Sequence, residues 1–93
     1  MIIGSVRCEL MIYDVHSLKE KRSVLKSIVT RLKQRFNVAV AESDFQNLWQ
    51  RAELTIVTVS NEKVICEREL ERALALIDAE TAAERTITSY EWL

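Results

Sequence analysis

Six cations crowd the stretch SLKEKRSVLKSIVTRLK, and five of them, Lys19, Lys21, Arg22, Lys26 and Lys33, are introduced by Ser17 as candidate anion ligands. At a helical spacing of about 100° per residue, counted from Lys19, the apolar residues Leu18, Leu25, Ile28, Val29 and Leu32 fall at about 180–280°. Lys19, Arg22, Lys26 and Lys33 gather at about 300–360° on the same wheel. A lysine and arginine stripe along one helix face is the footprint of a phosphate-bearing partner, because such side chains neutralise backbone phosphates without reading sequence. An ordinary solvated helix face looks the same. What favours chemistry is that Lys19, Lys21 and Arg22 sit in the first turns, where the helix end is already partly positive. Each cation there is unfavourable by about 0.3–1 kcal/mol at low salt. Cations set against the local field without structural gain point to an anion held by them, by Ser17 and by the free amides of the helix start. A competing arrangement has Asp78 and Glu80 reaching the same end of the domain and neutralising them.

Catalytic constellations are lacking. His16 is the one histidine, and a histidine beside a helix cap is more often structural or exposed than a general base. No serine or cysteine has a recognisable base partner. Cys8 and Cys66 form no CxxC and no Cys/His cluster, so neither a disulfide scaffold nor a metal site is indicated, and no cofactor is implied. One glycine and no proline exclude a glycine-rich phosphate loop. These features favour a non-enzymatic protein.

The elements that must position these residues follow from periodicity. Val6, Cys8, Leu10 and Ile12 alternate with Arg7, Glu9, Met11 and Tyr13, predicting a half-buried strand over 6–13. Ser17 and Glu20 form a capping box that opens a helix running to about Arg35. A second strand is expected over 36–41. The connector SDFQNLWQR leads to a β-branched third strand over 53–60. A second helix over about 64–80 buries Cys66, Leu70, Ala73, Leu74 and Ile77, and RTITSYEWL closes the chain as a fourth strand. With 93 residues this is a single domain over 1–93. The apolar start is interrupted by Arg7, Glu9 and Asp14, so it reads as neither signal peptide nor membrane span, and a reducing cytoplasm is the expected setting. The net charge of -1 conceals segregation: residues 16–36 carry seven cations and one acid, whereas residues 61–93 carry four cations and eight acids.

The order βαββαβ predicts an α+β ferredoxin-like sandwich, a four-stranded antiparallel sheet with two helices on one face. Right-handed crossovers then turn Val24, Arg31 and Arg35 towards Ile65, Leu76, Glu62 and Glu69, and send the basic stripe and the Glu67, Glu71 and Asp78 stripe to opposite edges. Acylphosphatases of this fold need a glycine-bearing loop after the first strand, but residues 13–17 here read YDVHS. RNA-recognition motifs need aromatics on the central strands, and LTIVTVS has none, so base stacking on the sheet is not expected. Phe45 and Trp49 are expected to fold back and close the core, with an aromatic exposed beside the basic helix as the other arrangement. Met11, Tyr13, Val57 and Val59 are available to the open sheet face. Together with Trp49 and Trp92, which shares a face with Tyr90, they are candidates for a homodimer interface.

MIIG at the start, SLKEKR at 17–22, RFNVAVAE at 35–42, WQRA at 49–52 and the closing ERTITSYEWL resemble the YlxP-like family of small bacterial proteins over essentially the whole chain. The resemblance implies the same ferredoxin-like fold and a genomic setting among genes for translation initiation and ribosome maturation. It supplies no catalytic residues. Ser17, Lys19, Lys21 and Arg22 match the family's capped basic motif, and Asn47 stands where the family is expected more often to have Asp. The expectation is therefore an RNA- or ribosome-associated accessory protein that docks its first helix on RNA backbone. A dimeric protein-interaction or small-ligand regulatory module built on the open sheet face is the alternative.

Overall fold

The computed structural model describes residues 1–93. Its elements are β1 (Ile2–Ile12), α1 (Leu18–Arg35), β2 (Ala39–Asp44), β3 (Arg51–Ser60), α2 (Lys63–Asp78) and β4 (Ala83–Trp92). The sheet order is β2-β3-β1-β4, and every pairing is antiparallel. This is the ferredoxin-like sandwich that the βαββαβ order predicts. β1 is central because its alternation supplies the core directly: Val6, Cys8, Leu10 and Ile12 are all buried, opposite Ala52, Leu54 and Ile56 of β3. α2 lies over β1, β3 and β4, and α1 lies beside edge strand β2. Leu25, Ile28 and Leu32 of α1 meet Leu70, Ala73, Leu74 and Ile77 of α2 in one core. No helix is long and apolar enough to cross a membrane.

Two strand boundaries move for identifiable reasons. β1 starts at Ile2, not Val6, because Gly4 pairs with Trp92 of β4 and the indole lies directly on the glycine. A Cβ at Gly4 would stand 2.5 Å from Trp92 Cζ3, so only glycine admits the ring. β2 starts at Ala39, not Phe36, because the preceding residues end α1. Phe36 donates its N–H to the Leu32 carbonyl, the Asn37 N–H donates to Glu69 at 2.9 Å, and the Thr58 hydroxyl donates to the Asn37 carbonyl at 2.7 Å.

The helix flanks meet through their apolar residues, but the expected charge pairs do not form: neither Arg31 nor Arg35 bridges Glu62 or Glu69, and Glu69 instead accepts from the Asn37 N–H. Val24 packs against the core and Leu76 is buried. Arg31 donates to Glu80 across the joint, and its guanidinium holds the Glu80 carboxyl below the ordinary range. Arg85 does the same to Asp78 through two contacts of 2.8 Å. Cys8 and Cys66 are both free and buried, and burial pushes the Cys8 thiol up to about 11.

Replacing Gly4 with Ala should destabilise the domain by about 1–3 kcal/mol, the range for overpacking. Trp92→Leu in the same chain should recover part of that loss, as a double-mutant cycle in urea would measure. The carboxyls of Asp78 and Glu80 sit below their unfolded values, so their contribution is complete above about pH 4.5 and is lost as pH falls through the lower folded values. Glu80→Gln should accordingly flatten the acid limb of stability against pH.

Candidate nucleic-acid interface

The start of α1 is assembled by its own residues. Ser17 is the N-cap, and its hydroxyl accepts from the Glu20 N–H at 3.1 Å. The Glu20 carboxylate returns to the His16 N–H at 2.6 Å, one residue ahead of the Ser17 amide that a capping box ordinarily engages. A carboxylate from the chain therefore already lies at the positive helix end. Ser17 serves as a cap, and the anion site expected around it contracts to the exposed cations further along the helix.

Lys21 is the principal correction. It is 1% exposed, and its ammonium donates to the Phe45 carbonyl at 2.6 Å and stands 3.0 Å from Glu42 Oε2. That oxygen is buried without an aligned hydrogen bond, so the ammonium supplies its compensating charge. Lys21 is thus withdrawn from any phosphate. The physical reason was present in the sequence: at about 200° on the α1 wheel, Lys21 lies inside the apolar arc, not in the stripe. Lysine can occupy that place because its stem is apolar and its tip finds two acceptors.

Lys19, Arg22, Lys26 and Lys33 are exposed and take part in no ion pair. Fourteen residues separate the first from the last, a span of about 21 Å along one helix face. The acids expected to neutralise the helix start are engaged elsewhere, Glu80 with Arg31 and Asp78 with Arg85. At the opposite edge Glu67 and Glu71 line a cleft with Tyr90 and Trp92, and burial, with the nearby Glu71 carboxylate second, raises the Tyr90 phenol.

Beside the start of α1 lies the connector 45–50. Phe45 adopts φ 62, a conformation unfavourable for a bulky side chain, with its N–H held by Asp44 Oδ1 at 2.7 Å. The Arg51 guanidinium sits 3.9 Å above the Phe45 ring and is bound by both oxygens of Glu9. Trp49 does not close the core. It is 50% exposed, and with Val15, His16, Leu48, Gln50 and Arg51 it lines an open depression of about 390 Å³. Phe45, expected to close the core with it, is half-buried but not among the residues packed on the core. Asn47 is exposed in this connector.

The open sheet face is mostly polar. Glu9 and Glu53 stand directly opposite one another, and each is paired diagonally, Glu9 with Arg51 and Glu53 with Arg7. This charged band separates Met11 and Tyr13 from Val57 and Val59, so the candidate interface residues form two patches. Tyr13 donates its hydroxyl to Glu84. Trp92 belongs to neither patch: it pairs with Gly4 on the helix side, packs against the core and takes Lys63 over its ring at 4.9 Å. Parity explains this, because Tyr90 and Trp92 lie opposite Val6 and Gly4, both inward-facing. No group of three His, Cys, Asp or Glu side chains is placed to hold a metal.

Fold and surface together define a small ferredoxin-like α+β domain with an unpaired basic helix face. The chain belongs to the family described as "Protein of unknown function (DUF503)", whose model matches residues 3–90. It is 50% identical over 91 residues to the "Uncharacterized protein YlxP" of Bacillus subtilis (strain 168), covering 98% of this chain and 99% of that one. Among solved structures it is similar to SnoaB, a cofactor-independent oxygenase from Streptomyces nogalater. The TM-score is 0.56 at 12% identity, over 99% of this chain and 90% of that one. It is also similar to the de novo designed protein Foldit4, with a TM-score of 0.50 at 18% identity, over 99% and 94% of the two chains. At these identities the structural likeness is one of fold alone.

Removing the Lys21 ammonium leaves the Glu42 carboxylate without its partner and the Phe45 carbonyl with the Leu48 N–H alone. Lys21→Ala should cost about 3–5 kcal/mol in urea unfolding, the range for breaking a buried pair. Lys19→Ala, two residues away and exposed, should stay within about 0.5 kcal/mol of the parent.

Proposed function

We propose that this protein is a non-enzymatic, cytoplasmic accessory factor of translation or ribosome maturation that binds RNA backbone through α1. The observation that carries this reading is the face formed by Lys19, Arg22, Lys26 and Lys33, exposed and free of ion pairs in a chain whose net charge is -1. A protein with more acids than bases has many carboxylates with which to neutralise such a face, yet those near α1 engage Lys21 and Arg31 instead. Unneutralised cations about 21 Å from end to end favour a linear polyanion over a small anion. RNA is the polyanion consistent with the translation-gene setting that the family resemblance implies. Contacts of this kind position the protein without selecting a sequence, so specificity must come from elsewhere on the surface or from the shape of the RNA.

Four neutralised phosphates correspond to a log-log slope of affinity against salt of about -3. The triple substitution Lys19→Glu, Arg22→Glu and Lys26→Glu should abolish both binding to single-stranded RNA and co-sedimentation with ribosomal particles. Lys63→Glu, Arg68→Glu and Arg72→Glu together, on α2, change the net charge by the same amount and should leave both intact. Unchanged binding by the α1 variant, or equal loss with the α2 variant, would refute the proposal.

A further inference from the structure

The depression beside Trp49 has a lining suited to a different part of the same ligand. Arg51 contributes no free charge there, because both of its contacts to Glu9 and its place over Phe45 are already made. What faces solvent is the Trp49 ring, Leu48 at 47% exposure, the Gln50 amide and the imidazole of His16, a flat apolar surface edged by groups that donate and accept hydrogen bonds. That chemistry fits a planar heteroaromatic ring better than it fits a phosphate.

Position supports the match. His16, in the lining, lies three residues before Lys19, the first cation of the exposed face, so their Cα atoms are at most about 11 Å apart. The platform is also held rather than floppy. Lys21 bonds the Phe45 carbonyl, Asp44 bonds the Phe45 amide, the Leu48 N–H donates to the Phe45 carbonyl at 3.0 Å, and the Ile12 N–H donates to the Gln50 carbonyl at 3.0 Å. An aromatic presented on a connector fixed at both ends loses little freedom when a ring stacks on it.

We infer that this depression stacks an unpaired nucleobase of the RNA strand on Trp49 while the strand's phosphates follow Lys19, Arg22, Lys26 and Lys33. The inference rests on the RNA-backbone reading above and adds to it a preference for single-stranded over duplex RNA, since a base must leave its helix to reach the ring. Stacking platforms of this kind tolerate any base, so the site contributes strand selectivity and not sequence reading.

The test uses the full chain carrying Trp92→Phe, which leaves Trp49 as the one tryptophan. Its fluorescence is followed against a short oligouridylate, a ribose-phosphate oligomer of the same length without bases, an RNA duplex and free uridine monophosphate. The oligouridylate should quench Trp49, whereas the base-free oligomer should bind with the same salt slope and leave the fluorescence unchanged. Read by anisotropy of a labelled oligouridylate, since these variants lack the indole, Trp49→Ala should weaken binding by about tenfold without altering that slope, and Trp49→Phe should recover most of it. Thermal unfolding of each variant separates these effects from loss of fold. Equal binding of parent and Trp49→Ala, or equal quenching by the base-free oligomer, overturns the inference and leaves the α1 proposal standing, with Leu48 and Trp49 then open to a protein contact. Quenching by uridine monophosphate at the same concentration as the strand overturns it in favour of a mononucleotide site. Absence of binding to every RNA at low salt overturns both.

Discussion

An ammonium group inside the core dictates the shape of one end of this molecule. Lys21 enters the apolar side of α1, and a charge so placed is tolerated only where acceptors surround it. The Phe45 carbonyl and the Glu42 carboxylate supply them, so the end of β2 and the first residue of the connector must lie under the first turns of α1. For its carbonyl to point there, Phe45 takes a positive φ that is unfavourable by about 1–2 kcal/mol for a residue with a Cβ. Asp44, accepting from the Phe45 amide, and Arg51, stacked on the Phe45 ring, hold that conformation. Arg51 in turn is fixed by Glu9 on the central strand. One buried cation thus links α1, β2, the connector, β3 and β1, and the exposure of Trp49 follows from the path the chain is forced to take.

The same contact shapes the electrostatics. Glu42 is the carboxylate of β2 that lies beneath α1, and by pairing inward with Lys21 it is withdrawn from the exposed cations above it. Glu80 is withdrawn by Arg31 and Asp78 by Arg85. The acids around α1 therefore serve internal partners, and the near-zero total charge says nothing about the local field at the helix face. Local charge arrangement, not net charge, governs whether a polyanion is attracted at distances within a Debye length of about 8–10 Å.

What the sequence made legible was what depends on period. The alternation of β1 and the helical spacing of α2 identify their buried faces because one face of each element is continuously apolar, and Cys8, Leu10, Leu70 and Ile77 are buried as that spacing requires. Lys21 is legible by angle, which lies within the apolar arc, but not by residue type, since a charge argues for exposure while the apolar stem permits burial. The exposure of Trp49 was not legible: a large aromatic in a connector can close a core or leave it, and the outcome depends on a contact 24 positions away in sequence between Lys21 and Phe45. Trp92 sits between these cases. Its parity with Tyr90 is plain, but which face they share is set by the register between β1 and β4, which places Gly4 under the indole.

The charge lattice on the open sheet bears directly on how a fold of this kind can meet a nucleic acid. Sheet-based recognition in ferredoxin-like domains needs exposed aromatics at the centre of β1 and β3. Here those positions hold Arg7, Glu9, Glu53 and Thr55, with Arg7 committed to Glu53, Glu9 to Arg51, and Thr55 donating to Ser43 at 2.7 Å. A base laid on that surface would have to displace ion pairs, and the backbone would meet paired charges. The helix side offers the reverse: cations without partners on α1, and an aromatic raised beside the helix start by the connector that Lys21 fixes. Under the RNA reading proposed above, the contact would therefore fall to the helix side and not to the sheet, and that side owes its form to one lysine that faces inward while its neighbours face out.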